Sequence, residues 1–232
     1  MKYLTVQLAF ALFASTVTFS PAVAQGKRKV EGNPPPPVVV TAPPTPFASA
    51  AALIDDPSAP AGWKRFLLGG NSFSVVLPKA PQLETERKEL GNGVNLTVNT
   101  YSVDVAEGAY VFVYVPDFPF IAERVAPSVL ESFYSGVWEG FAEGTREEIA
   151  KSGVLFELKQ GEQHDSTLGG LKGREQDFTL GPLSGRARAT ATGRRVFLAM
   201  SMWSPDMPAA ERELIFNSFR ISPSPAVKAR GK

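Results

Sequence analysis

Few side chains in this chain are suited to chemistry. One histidine occurs, His164, in the run Gly161-Glu162-Gln163-His164-Asp165-Ser166. Histidine, aspartate and serine are the parts of a hydrolytic triad, but a triad needs three side chains that converge, and neighbours on an extended segment point to opposite sides. The run reads as a polar turn, and no catalytic residue is assigned. One histidine, no cysteine and scattered acids leave only a carboxylate site for a metal, and no calcium-loop spacing is present. No metal ligand and no cofactor is assigned.

Two groups of acids stand out. Glu84, Glu86 and Glu89 surround Arg87 and Lys88, while Glu139, Glu143, Glu147 and Glu148 gather towards the end of a helical stretch. Both read as solvated surface, and no feature selects a pair of carboxylates for glycoside hydrolysis. The arginines are the better candidates for recognition. Arg174, Arg186, Arg188, Arg194 and Arg195 fall on three consecutive strand-like segments, and guanidinium forks suit an anion or an acidic partner. The alternative is cross-strand ion pairing: a connector centred near Pro182 or Leu183 sets Asp177 opposite Arg188.

The elements that must position these groups are legible from periodicity. Phe73, Val75 and Leu77 predict a strand that stops at Pro78, and Val94, Leu96 and Val98 predict a second with one wet face. Tyr110 to Val115 is apolar on both faces, which suits the middle of a sheet. Pro127, Ser128 and Glu131 read as a helix start with a capping box, and Val125, Val129, Phe133, Val137 and Phe141 form its stripe. Gly136, Gly140 and Gly144 fall within that stripe. Ala187, Ala189 and Ala191 alternate with Arg186, Arg188 and Thr190, so this strand is shallow on one face. Small against small predicts that helix and strand approach closely there, with Arg186 and Arg188 pointing outward.

Val154, Phe156 and Leu158 predict a strand ahead of Arg174 to Leu180, and Val196 to Trp203 predicts another. A last helix starts near Asp206 or Pro208 and carries Leu214, Ile215, Phe216 and Phe219. Strands, long helix, strands and short helix make an α+β domain with a central antiparallel sheet and both helices packed on it. There is no phosphate-binding glycine loop and no internal repeat.

The ends of the chain carry an address. Lys2, the apolar run Leu4 to Phe19 and the small-residue site Ala22-Val23-Ala24 read as a signal peptide over residues 1–24. Residues 25–61 read as a proline-rich linker, 62–222 as the domain and 223–232 as a basic tail. Without cysteine, disulfides, thiolate sites and a lipidated N-terminal cysteine are excluded. The expectation is a periplasmic or secreted protein with no stable membrane span once the signal is removed. Residues 61–223 hold 17 Lys and Arg against 20 Asp and Glu. A mildly acidic body with short basic ends excludes a nucleic-acid binder, which shows a basic stripe across its folded face.

Phe73-Ser74-Val75-Val76-Leu77-Pro78 with Pro81, the segments Gly173-Arg174-Glu175 and Arg195-Val196-Phe197-Leu198, and the closing Phe216-Asn217-Ser218-Phe219-Arg220 resemble the PsbP-like superfamily in order and spacing. That superfamily includes photosystem II accessory proteins, a Ran-binding import factor and bacterial DcrB-like envelope proteins. The resemblance spans Trp63 to Ile221. It implies an antiparallel sheet covered by helices and an accessory or binding role without a shared catalytic set. The expected function is therefore a non-enzymatic domain of the bacterial envelope that binds an envelope protein or polymer. A small-molecule or anion carrier and a hydrolase with an unidentified carboxylate site are the alternatives.

Overall fold

A computed structural model describes residues 52–90, 94–152 and 156–223. The signal peptide, most of the proline-rich segment, Val154 and most of the basic tail lie outside the described residues. Among the described residues, eleven strands form two antiparallel sheets. β1 (Ala52–Ile54), β2 (Lys64–Leu68), β3 (Phe73–Leu77) and β11 (Arg220–Ile221) make the smaller, in the order β1-β2-β3-β11. The larger runs β4-β5-β6-β10-β9-β8-β7, from β4 (Gln82–Leu90), β5 (Val94–Val105), β6 (Gly108–Val115), β7 (Leu158–Leu168), β8 (Leu171–Leu180), β9 (Leu183–Thr192) and β10 (Arg195–Trp203). A 26-residue helix, α1 (Pro127–Ser152), and a short one, α2 (Ala209–Ser218), complete an α+β domain.

The seven-stranded sheet has a core on each face. Val111, Val113, Leu198 and Met200 join Phe133, Val137, Trp138 and Phe141 of α1 in one apolar cluster. Tyr110, Phe112, Tyr114 and Phe197 join β2, β3 and α2 in the other. β6 and β10 are buried on both sides, as a run without polar alternation requires. Phe73 is the hub of the second cluster: its ring stacks on Phe219 at 5.1 Å and meets Tyr101 and Phe197 edge-on at 5.7 and 5.8 Å.

Several local readings are corrected. Residues assigned to the linker belong to the fold, since Ala52–Ile54 pairs with β2 and Asp56 accepts a hydrogen bond from Arg65 at 2.7 Å. Pro127 begins α1, so Ser128 lies inside the helix, and Glu131 turns to Arg174 instead of closing a capping box. Val129 is 39% exposed, off the stripe that Phe133, Val137 and Phe141 continue. The charged segment around Glu84 is a strand at the sheet's edge, where Glu84, Glu86 and Lys88 share a half-buried face. The polar turn around His164 is also a strand, the opposite edge, with a bulge where Gly161 and Glu162 face Asp177 alone.

The helix does not settle onto the alanine strand at Gly140. A methyl group placed on Gly140 would meet nothing within 4 Å outside the helix itself. On the same face of β9 as Ala187 and Ala189, the space that Gly185 leaves open is occupied by Phe178, which packs edge-on against Phe141 of α1 at 4.9 Å. Small residues on β9 thus admit aromatic side chains and not a helix backbone.

Two predictions follow from this packing. Gly140→Ala adds helix propensity without a clash and raises stability by up to about 1 kcal/mol. Gly108→Ala puts a methyl 1.9 Å from the Met202 carbonyl, disturbs the β6–β10 pairing, and costs about 2 kcal/mol or more. Urea midpoints with equal m-values check both. Separately, burial first and the Glu86 charge second push the Glu84 carboxyl up to about 7 against the pull of Lys88. Between pH 4.5 and about 7 the unfolded chain releases that proton while the folded chain keeps it, so stability falls as pH rises through that range. Glu84→Gln makes the fall in melting temperature between those pH values smaller, and identical pH profiles would contradict the assignment.

Candidate functional site

The β8–β9 hairpin decides which arginines meet which acids. Leu180 faces Leu183 across a two-residue loop, and Gly181 at φ +56° takes the left-handed conformation that such a turn needs at its first position. The turn is therefore centred a residue earlier than the sequence suggested. Asp177 lies opposite Arg186, and Glu175 lies opposite Arg188.

On this face of the sheet, β7, β8 and β9 contribute neighbouring side chains, and α2 closes over them. Glu175, 6% exposed, sits at the centre. Its carboxylate accepts a hydrogen bond from Arg188 Nε, meets His164 Nε2 at 2.9 Å, and accepts one from Ser166 Oγ at 3.3 Å. Arg186 donates from Nε and Nη2 to Asp177 at 2.7 and 3.2 Å and from Nη1 to Glu213 of α2 at 2.7 Å. Arg188 reaches Glu213 at 3.3 Å, and its guanidinium lies over the Phe216 ring at 4.5 Å. Burial would push the Glu175 carboxyl up. The hydrogen bonds from Arg188 and His164, with the charges of both arginines, outweigh it and hold the carboxyl below its ordinary range.

The five arginines do not form one surface. Arg186 and Arg188 stand together, half-buried beneath α2 where the sequence set them outward. Arg174 is on the other face, donating to Glu131 of α1 at 3.0 Å and to Asp165 at 2.6 Å. Arg194 occupies the β9–β10 turn and pairs with Asp117. Arg195 is buried, donates to the Ser222 carbonyl at 2.9 Å and ties down the end of β11. Sequence reasoning missed Glu175 and Glu213. Centring the hairpin on Gly181-Pro182 would have found the first, but the second arrives on a helix 25 residues from Arg188.

The arrangement does not build a nucleophile. His164 and Ser166 both turn to Glu175, so the imidazole faces a carboxylate already held by Arg188 and not the serine hydroxyl. Among the described residues no group of three His, Cys, Asp or Glu side chains is placed to hold a metal. A free anion would have to displace carboxylates from both guanidinium groups. What the cluster can do is exchange ion pairs at its rim, where His164 and Asp177 side chains are 53% and 52% exposed.

No known family's sequence profile matches the chain, and no curated protein matches it. Among solved structures, cyanobacterial PsbP from Synechocystis is similar at 8% identity and a TM-score of 0.45, covering 73% of this chain and 98% of its own. A Pseudomonas aeruginosa protein of unknown function is similar at 16% identity and a TM-score of 0.27, covering 55% of this chain and 89% of its own. At such identities no role passes to the charged network. Among the described residues no helix is long and apolar enough to cross a membrane.

Glu175 supplies the test of the network. Its folded-state carboxyl is held low, so its stabilisation is complete above the unfolded value, about pH 4.3, and is lost as pH falls through the lower folded value. Glu175→Gln leaves Arg188 without its buried counter-charge and costs about 3 kcal/mol at neutral pH. It also flattens the acid limb of the stability profile, which urea midpoints measured against pH will show.

Proposed function

We propose that this chain is an exported accessory domain of a bacterial cell envelope that binds a protein partner through the charged face of β7, β8 and β9. It carries out no chemistry of its own. The observation that carries the reading is the engagement of Glu175 by both His164 and Ser166. That contact commits the chain's one histidine to an ion-pair network whose rim reaches solvent. The signal-like start and the proline-rich spacer support export. The sequence resemblance to the PsbP-like superfamily agrees with an accessory role.

Three carboxylates against two guanidinium groups favour a protein that contributes its own cations and hydrogen-bond donors over a free anion. Arg186 and Arg188 are unsuitable probes, because reversing a half-buried charge would break the contact with α2. Asp177→Asn removes a charge at the half-exposed rim, while its amide oxygen still accepts from Arg186 and Glu213 remains as that guanidinium's counter-charge. In vivo crosslinking of the tagged chain in its native envelope, followed by mass spectrometry, should yield a specific protein whose recovery falls at least fivefold in that variant, with an unchanged melting temperature. A chain that crosslinks to no protein, or equally well in both forms, overturns the reading.

A further inference from the structure

We propose that the end of the domain from which both chain termini leave is a docking surface for anionic lipid. β1 starts at Ala52 opposite Leu67, and β11 finishes at Ile221 opposite Phe73, so both lie at the β2–β3 turn. They occupy opposite edges of the four-stranded sheet, three strand spacings or about 14 Å apart. The described chain therefore begins at Ala52 and finishes at Pro223 at one end of this sheet.

The turns of the larger sheet gather there as well. A methyl on Gly169, in the β7–β8 turn, would come within 2.8 Å of the Ile221 side chain. In the β9–β10 turn, Gly193 accepts from the Ala122 N–H at 2.8 Å, which anchors the loop leading into α1. These segments present Arg124, Lys172 and Arg194. The acids beside them are engaged: Asp117 by Arg194, and Glu123 by the Gly193 N–H at 2.9 Å and the Thr192 hydroxyl at 2.9 Å. Arg124 and Lys172 are exposed, and no carboxylate of the described residues lies within ion-pair reach of either.

Charge is polarised along the chain. Residues 25–51 and 224–232 hold six basic side chains and one acid, whereas residues 52–223 hold 17 basic and 22 acidic ones. An anionic surface attracts the end that bears both tails and repels the rest, which fixes an orientation with the chain termini towards the surface. One apolar feature favours lipid over a soluble polyanion: Val129, 39% exposed in the first turn of α1, close after Arg124. The inference is independent of the binding reading above, since neither Arg186 nor Arg188 takes part.

The test is flotation of the full chain with vesicles of phosphatidylcholine alone or with one-third phosphatidylglycerol. The measured quantity is the ratio of binding to the two, so that insertion of the apolar run, common to both, cancels. At low salt the ratio should exceed about 25-fold, fall towards one at high salt, and drop by about 25-fold or to one in Arg124→Glu/Lys172→Glu, given roughly a fivefold effect per basic side chain near an anionic surface. Lys79→Glu/Arg146→Glu makes the same change of net charge away from this end and should leave the ratio unaltered. A ratio of one at low salt overturns the proposal. So does a ratio insensitive to the first pair of substitutions, or equally sensitive to both.

Discussion

The rest of the structure depends on the double-sided burial of β6 and β10. Each is apolar along both faces, so a sheet built on them has two surfaces to remove from water and cannot stand with one of them wet. At roughly 25 cal/mol per Å² of apolar area, leaving Tyr110, Phe112, Tyr114 and Phe197 exposed would cost several kcal/mol. One face is met by α1. The other is met by a second sheet made from the two ends of the domain, β1 to β3 from the start and β11 from the finish, with α2 beside it. The far ends of the domain are thereby drawn into one sheet over a shared core, and the chain enters and leaves at the same end of that sheet, on its opposite edges.

Covering that second face brings α2 over β9, and β9 carries arginines there. Guanidinium groups cannot be withdrawn from water without counter-charges, and the structure meets this demand locally, with Asp177 and Glu175 from the adjacent strand and Glu213 from the covering helix. The network is thus first a consequence of layering. Its centre, Glu175, is buried and fully engaged, while its rim reaches solvent, and this gradient separates the part that supports the fold from the part open to water.

Legibility followed the apolar pattern. Phe73 to Leu77, Tyr110 to Val115 and Val196 to Trp203 were readable because each buries a face and alternates or saturates accordingly. The two edge strands were not. Gln82 to Leu90 and Leu158 to Leu168 have a neighbour on one side only and carry charges and a bulge, the devices that keep sheet edges from pairing with other chains, so their pattern resembles that of a loop. Gly140 of α1 misled for a related reason: propensity marks it as costly, but periodicity cannot say whether anything approaches the backbone there, and nothing does.

The candidate site divides in the same way. That Arg186 and Arg188 share a face follows from strand periodicity of two, and that an acid of β8 opposes them follows from a hairpin, so sequence by itself determined that charges would pair there. Which acids pair was decided by the turn at Gly181-Pro182, because moving its centre by one residue changes each partner by two. Tertiary structure alone brought Glu213 over the arginines, His164 and Ser166 to one carboxylate, and both chain ends to one end of the small sheet. Those contacts join segments far apart in the chain, and their geometry is set by how two sheets and two helices stack, which no local pattern of residues encodes.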